Sequence, residues 1–245
     1  MALTLISLNI EGDNHYDRIF PFLQSKQPDV ICMQEFFIDD LPLVEEKLSM
    51  HGYAVGMWMC STENDARITP RGLMGVAMFS KSPLLHPRHY WYTGNEVEIK
   101  DLFSPQVGPE NVSRALLVAD MIDNNQTYRI ATTHFTWSPG GSVTDTQQKH
   151  LDNLLPILSS IEPMVLCGDF NAPRGKAIFD RLASRYTDAI PKEITTTMDQ
   201  RLHRMPGLQF VVDVLFTSST YCATDIQVVD GVSDHCAIVS TITVR

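Results

Sequence analysis

The sequence is short of positive charge. It has 19 Lys and Arg against 29 Asp and Glu, a formal net charge of −10 at pH 7. A surface of that sign repels a long polyanion unless cations are gathered locally, which argues against an architectural nucleic-acid-binding protein but not against an enzyme that grips a few phosphates beside a bound metal. Cysteine is scarce too. The five thiols, Cys32, Cys60, Cys167, Cys222 and Cys236, are odd in number and form no CxxC pair. Three lie within apolar runs, so they are expected as buried, reduced strand residues rather than as a disulfide framework or a thiolate zinc site. No HExxH occurs, and no run of 18 apolar residues spans a membrane. The opening MALTLISLNIEGDN lacks the basic n-region of a signal peptide, which makes a cytoplasmic location the expectation. With no secretion signal, the glycosylation patterns at Asn111 and Asn125 read as coincidence.

What remains is an ordinary globular composition, 44% hydrophobic and 20% charged over 245 residues. That is enough for a large core without staples, and no linker divides it, so one domain over residues 1–245 is expected. Hydrophobic periodicity predicts strands at 2–10, 29–34, 53–59, 72–79, 113–122, 128–135 and 163–167, then three more at 208–216, 221–229 and 235–243. Residues 60–71 read as a polar loop. The Pro-rich stretch 83–111 predicts a strand near 95–103 between irregular loops. Helices are expected at about 15–26 with Asn14 as cap, from Asp39 or Asp40 to Leu48, from Thr144 to Ser159 behind a Thr144/Gln147 capping box, and from Pro173 to Ala183. Asp123–Gln126 suits a hairpin turn. Helices early and in the middle, with antiparallel strands late, do not make a simple βαβ repeat. Two sheets packed face to face with helices outside bury every apolar face.

The sharpest signal is where polar groups interrupt these apolar runs. Asn9 and Glu11 end the first strand and Glu35 the second. His134 falls near the end of TYRIATTHF, Asp169 and Asn171 follow VLCG, Asp213 sits inside LQFVVDVLF, and Asp234 and His235 open the last strand. Burying them unpartnered costs several kcal/mol in aggregate, roughly 1–3 for each lost hydrogen bond. Converging strand ends satisfy them around water and a cation. Any one alone also reads as a turn, a cap or a solvated charge; the set is harder to dismiss. Carboxylates with an amide are hard ligands that favour Mg²⁺, Mn²⁺ or Ca²⁺. A carboxylate-held histidine, with Asp213 and His235 as the expected pair, moves or orients a proton.

The blocks LNIEG, QE at 34–35, TTHF at 132–135, GDFN at 168–171, VVDVLF at 211–216 and SDH at 233–235, in that order, resemble the endonuclease/exonuclease/phosphatase superfamily over nearly the whole chain. The resemblance implies a four-layer α/β/β/α sandwich with two mostly antiparallel sheets, and divalent-metal hydrolysis of a phosphate ester with Mg²⁺ or Mn²⁺. It implies that Glu35 binds the metal, helped by Asn9 and Asp234, with Glu11 standing where several DNA-processing members carry Asp. Asp169 orients or deprotonates the attacking water, Asn171 holds phosphate or nucleophile, His235 contacts the scissile phosphate under the control of Asp213, and His134 is a second phosphate-side group. A nuclease or DNA-end-processing phosphodiesterase is the favoured reading, with a phosphatase for a small or lipid phosphate, a deadenylase-like exonuclease acting on RNA, and a catalytically silent phosphate-binding module as alternatives. A phosphate-ester substrate, with DNA or RNA ends among the candidates, is thus the expected partner, and no obligate protein partner is evident. Arg67, Arg71, Arg88, His89, Arg114, Trp137, Arg201, His203 and Arg204 are candidates for a phosphate-lined mouth with an aromatic platform.

Overall fold

The computed structural model describes residues 2–61, 68–123 and 125–245. Its elements are β1 (Leu3–Asn9), α1 (Tyr16–Lys26), β2 (Val30–Phe37), α2 (Leu41–Leu48), β3 (His51–Cys60), β4 (Gly72–Ser80), β5 (Leu85–Thr93), β6 (Arg114–Asp123), β7 (Gln126–Thr132), α3 (Asp145–Ile161), β8 (Val165–Asp169), α4 (Ala177–Ala183), β9 (Thr187–Asp188), β10 (Asp213–Thr217), β11 (Tyr221–Val229) and β12 (Ala237–Val244), with single 3₁₀ turns between some of them. The strands form two six-stranded sheets, ordered β11-β12-β1-β2-β4-β3 and β5-β6-β7-β8-β10-β9. Among the named strands, β1–β2 and β7–β8 pair in parallel; the other ladders are antiparallel.

Alternation along the strands builds the layers. Leu5, Val30, Cys32, Leu117, Ile130, Val165 and Leu215 fill the space between the sheets. Their neighbours Ile6, Ile31 and Met33 turn outward to meet Ile19 and Leu23 of α1 and Val44 of α2. Leu116, Val118 and Leu166 turn outward to meet Leu151, Leu154 and Leu158 of α3 and Ile178 of α4. Both faces of the central strands are covered, which is why their sequences read as nearly continuous apolar runs. This is the expected α/β/β/α sandwich. The five cysteines are free thiols and only Cys222 is not buried. No helix among the described residues is long and apolar enough to cross a membrane.

Several boundaries differ from expectation for identifiable reasons. The strand expected near 95–103 lies at 85–93. It is a sheet edge, where Pro87, lacking an N–H, is tolerated, and a register shift between Leu85 and Arg88 absorbs it. Residues 95–98 instead turn on the Asn95 side chain, whose Oδ1 accepts from the N–H groups of Val97 and Glu98. The strand expected at 208–216 begins only at Asp213. Just before it, the Phe210, Val211 and Val212 carbonyls accept from Thr197, Arg174 and Phe170, loop groups rather than a ladder. Likewise α4 starts at Ala177, not Pro173. His15, not Asn14, precedes α1, and it makes no side-chain cap. Thr144 does cap α3, accepting from the Gln147 N–H. The box stays half formed, because the Gln147 amide donates to the carbonyls of Thr136 and Asn171 instead. Most of the 60–71 loop, with Arg67, and Asn124 of the 123–126 turn lie outside the described residues. Asp123 and Gln126 pair directly across that hairpin.

Candidate active site

Parallel pairing of β1 with β2 and of β7 with β8 sends four strand ends to one end of the sandwich. Asn9 closes β1 and Asp169 closes β8. Asp213 opens β10 directly opposite Asp169 in the ladder. Between the sheets, the Gln34 amide donates to Thr132 Oγ1 at 3.1 Å and ties the two layers beneath this end.

Glu35 does not end its strand as expected. It sits on a bulge, between the Gln34–Val76 and Phe36–Gly75 pairs, with φ of 55°. Glu11 and Asn171 are also left-handed, each at φ of 49°. Side chains with a Cβ adopt this region at a cost of about 1–2 kcal/mol per residue, so packing must hold these bends in place. The bends aim polar groups out of ladders that otherwise point them into core. Gly168 completes the set at φ of 134°, where an added Cβ would lie 2.1 Å from the Thr133 carbonyl oxygen.

The resulting cluster is continuous. The Asn9 amide donates to Glu35 Oε1 at 3.2 Å and to Asp169 Oδ2 at 3.1 Å, while Asn9 Oδ1 accepts from the Glu11 N–H. His134 Nε2 lies 3.4 Å from Asp169 Oδ2 and 3.9 Å from Glu35 Oε1. The Asn171 amide faces the same nitrogen at 2.9 Å and also donates to the Phe135 carbonyl. His235 Nδ1 is 2.8 Å from Asp213 Oδ2, and its Nε2 is 3.9 Å from Asp169 Oδ2. Arg114 is buried, lies 4.8 Å over the Trp58 ring and donates to the His134 carbonyl. It therefore acts from beneath the site.

Charge is unevenly held here. Burial alone would raise the Asp169 carboxyl, but the charge of His235, the hydrogen bond and charge of His134 and the Asn171 N–H prevail and hold it well below the usual carboxylate range. Burial likewise opposes the His235 imidazolium, and the Asp213 and Asp169 carboxylates overcome it, leaving that ring well above the ordinary histidine value. Asp234 goes the other way. Burial, opposed by His235 and reinforced by repulsion from Glu11 and Glu35, pushes it up to about 7. These hard oxygen donors crowd negative charge into a buried site, a grouping of the kind that can hold a divalent cation. Glu11, His15 and Asp234 offer ligand atoms within 4.8 Å of one another, and Glu35 joins through Asn9.

Every residue of the expected catalytic and metal-binding set therefore meets at this strand end. The expected phosphate-lined mouth is only partly there. His203, Arg204, Arg114 and Trp137 line a cavity of about 300 Å³ above the cluster. Arg71 is paired with Asp13 and Asp40, Arg201 with Asp230, and Arg88 and His89 lie on the edge strand β5, bonded to Tyr90 and Tyr53. Residues beyond the expected set also belong to the site. His15 contacts Glu11 at 3.0 Å, an i, i+4 acid–histidine spacing visible in EGDNH. Trp58 packs its ring edge-on against His134, with centroids 5.2 Å apart. Nothing in GMWMC marks it.

The chain matches the endonuclease/exonuclease/phosphatase family over residues 6–235. No curated protein sequence matches it significantly. Its fold is shared by an endonuclease/exonuclease/phosphatase from Bacteroides vulgatus, at 16% identity over all of both chains with a TM-score of 0.71. It is shared by D. rerio TDP2 complexed with single-strand DNA product, at 15% identity over 99% of each chain and a TM-score of 0.68. A mannosyl-6-phosphatase from Bacteroides thetaiotaomicron has it as well, at 14% identity over 98% of this chain and 99% of that one, with a TM-score of 0.69.

Proposed function

The chain belongs to the endonuclease/exonuclease/phosphatase family, whose members are phosphoester hydrolases, and from that membership we propose that the strand-end cluster hydrolyses a phosphate ester with the help of Mg²⁺ or Mn²⁺. The observation that carries this is the position of Asp169. Its carboxylate is buried, held well below the usual carboxylate range, and touched by Asn9 and His134. Ionised and immobilised, this carboxylate is suited to orient a water and stand as its proton acceptor; the lowering keeps it available but makes it a weaker base, so positioning is its main contribution.

Glu35, Glu11 and Asp234, with Asn9 beside them, would hold the cation, which would supply neutralisation of phosphate charge. Asp169 orients the attacking water and receives its proton. His235, charged because Asp213 and Asp169 face it, donates from Nε2 to the phosphate. His134 approaches from the Asp169 side, and Asn171 sets its ring by bonding both Nε2 and the Phe135 carbonyl. Arg114 secures the His134 main chain and adds positive charge under it. Asp169 would present the water for in-line attack on the phosphate held by His235 and His134.

A metal-dependent assay tests this. In Mg²⁺ or Mn²⁺, the protein is expected to hydrolyse members of a panel of phosphate mono- and diesters spanning nucleic-acid ends, nucleotides, lipid and sugar phosphates. Activity is expected to vanish with EDTA and with Glu35→Gln. Hydrolysis that persists in EDTA, or a metal-loaded protein inert on the whole panel, overturns the proposal.

A further inference from the structure

The walls above the phosphate-binding floor are chemically one-sided. Leu102 and Phe103, tied to β3 by the Leu102 N–H to Met59 carbonyl bond, line the cavity together with Met205, Leu208 and Phe210, with the buried Trp58 ring behind His134. Polar lining groups gather at the floor, apart from His203 and Arg204. The His203 ring stands 6.2 Å from that of His235, so it too faces the phosphate end. Ser138, the remaining hydroxyl of the lining, is turned to the Ser142 carbonyl. Above the floor, no carboxylate or amide side chain among the described residues meets the hydroxyls of a sugar or a polyol.

Apolarity continues to the rim. Among the described residues, the exposed large hydrophobic side chains are Leu43, Val97, Ile122, Trp137 and Met205. Trp137 and Met205, 43% and 58% exposed, both line this mouth. Scattered exposed hydrophobics need no explanation, whereas two that extend an apolar cavity wall do. A polyanionic strand finds little to follow outward. Arg71, Arg129, Arg174, Arg181, Arg201 and Lys81 are held in ion pairs with aspartates, and the protein carries a net charge of −10.

We infer that the substrate is a small phosphoester whose ester group is compact and apolar, aryl or alkyl, seated among Leu102, Phe103, Met205, Leu208 and Phe210. This rests on the phosphoesterase reading and narrows it. The volume, about 300 Å³, is at the small end of ligand pockets. It admits a ring or a short chain and leaves the next unit of a polymer in solvent.

Binding separates this inference from the catalytic one. The probes are phenethyl-, octyl- and 2,3-dihydroxypropylphosphonate and a single-stranded oligonucleotide with a 5′-phosphonate, titrated calorimetrically against the Mg²⁺-loaded protein. None of them requires turnover. Phenethyl- or octylphosphonate is expected to bind at least tenfold more tightly than the dihydroxypropyl compound, and the better of the two identifies the group as aryl or alkyl. Phe103→Ser and Met205→Ser, on loop segments, are expected to erase that preference while leaving dihydroxypropylphosphonate affinity unchanged. Equal affinities, a preference for the polyol, or tightest binding of the oligonucleotide overturns the inference while the hydrolase reading stands. If no phosphonate binds at all, both fail.

Discussion

Asp213 Oδ2 and His235 Nδ1 are 2.8 Å apart, and both side chains are buried. Because Nδ1 is engaged by Asp213, the opposite nitrogen is the one presented toward Asp169. Asparagine at 213 keeps the shape but can offer an NH₂, which favours the tautomer with the proton on the wrong nitrogen. Asp213→Asn is therefore expected to lower kcat by about 100-fold, the scale of a positioned proton-transfer group, with KM little altered. An unchanged kcat in steady-state kinetics would show that His235 needs no such partner.

Asp169 and Glu35 sit side by side on Asn9 and yet are assigned different work. Replacing Asp169 with Asn removes the proton acceptor but no proposed metal ligand. Turnover is expected to fall by at least about 100-fold, while Mn²⁺ affinity measured by calorimetry stays near that of the unmodified protein. Glu35→Gln is expected to weaken Mn²⁺ binding itself. If both variants lose metal equally, the division of roles is wrong.

How much of this was legible beforehand depends on whether local or distant chemistry decides. The apolar strands and the acids and histidines interrupting them are local patterns, and they single out Asn9, Glu35, Asp169, Asp213 and His235, which the fold brings to one strand end. β5 was misplaced because Pro83 and Pro87 read as strand breakers, and edge position is a property of the sheet rather than of LHPRHYWYT. The Gln147 capping box stayed half formed because the Thr136 and Asn171 carbonyls, brought near only by folding, compete for its amide. Ion pairing of Arg71 with Asp13 and Asp40 decides which arginines leave the mouth, and no spacing rule encodes it. The bends at Glu11, Glu35 and Asn171 are likewise imposed by tertiary packing.

Gly168 converts that packing into a measurable cost. Its φ of 134° lies in a region nearly reserved for glycine, and an added methyl would meet the Thr133 carbonyl oxygen at 2.1 Å. Gly168→Ala is expected to destabilise the fold by about 2–4 kcal/mol in urea denaturation, combining backbone strain with overpacking. Asp169 would shift with it, so kcat should fall even where the variant stays folded. Wild-type stability would mean that β8 and the 133–134 segment part easily, contrary to the buried packing seen here.

His150 gives the fold a pH dependence of its own, away from the proposed metal ligands. Its Nδ1 is 2.6 Å from Thr136 Oγ1. Burial, with the nearby charges of Arg114 and Lys149, lowers its pKa from 6.5 to about 4. The folded protein thus keeps this ring neutral down to about 4, whereas the unfolded chain takes up a proton near 6.5. Between those values the unfolded state binds more protons, so stability falls as pH drops through this window and is fully present above it. His150→Gln retains a group able to bond Thr136 but cannot titrate. The drop in urea midpoint from pH 7 to pH 5 is expected to be smaller in this variant than in the parent protein. Identical drops would mean that His150 is protonated in the folded state, with its contact to Thr136 made by an imidazolium N–H.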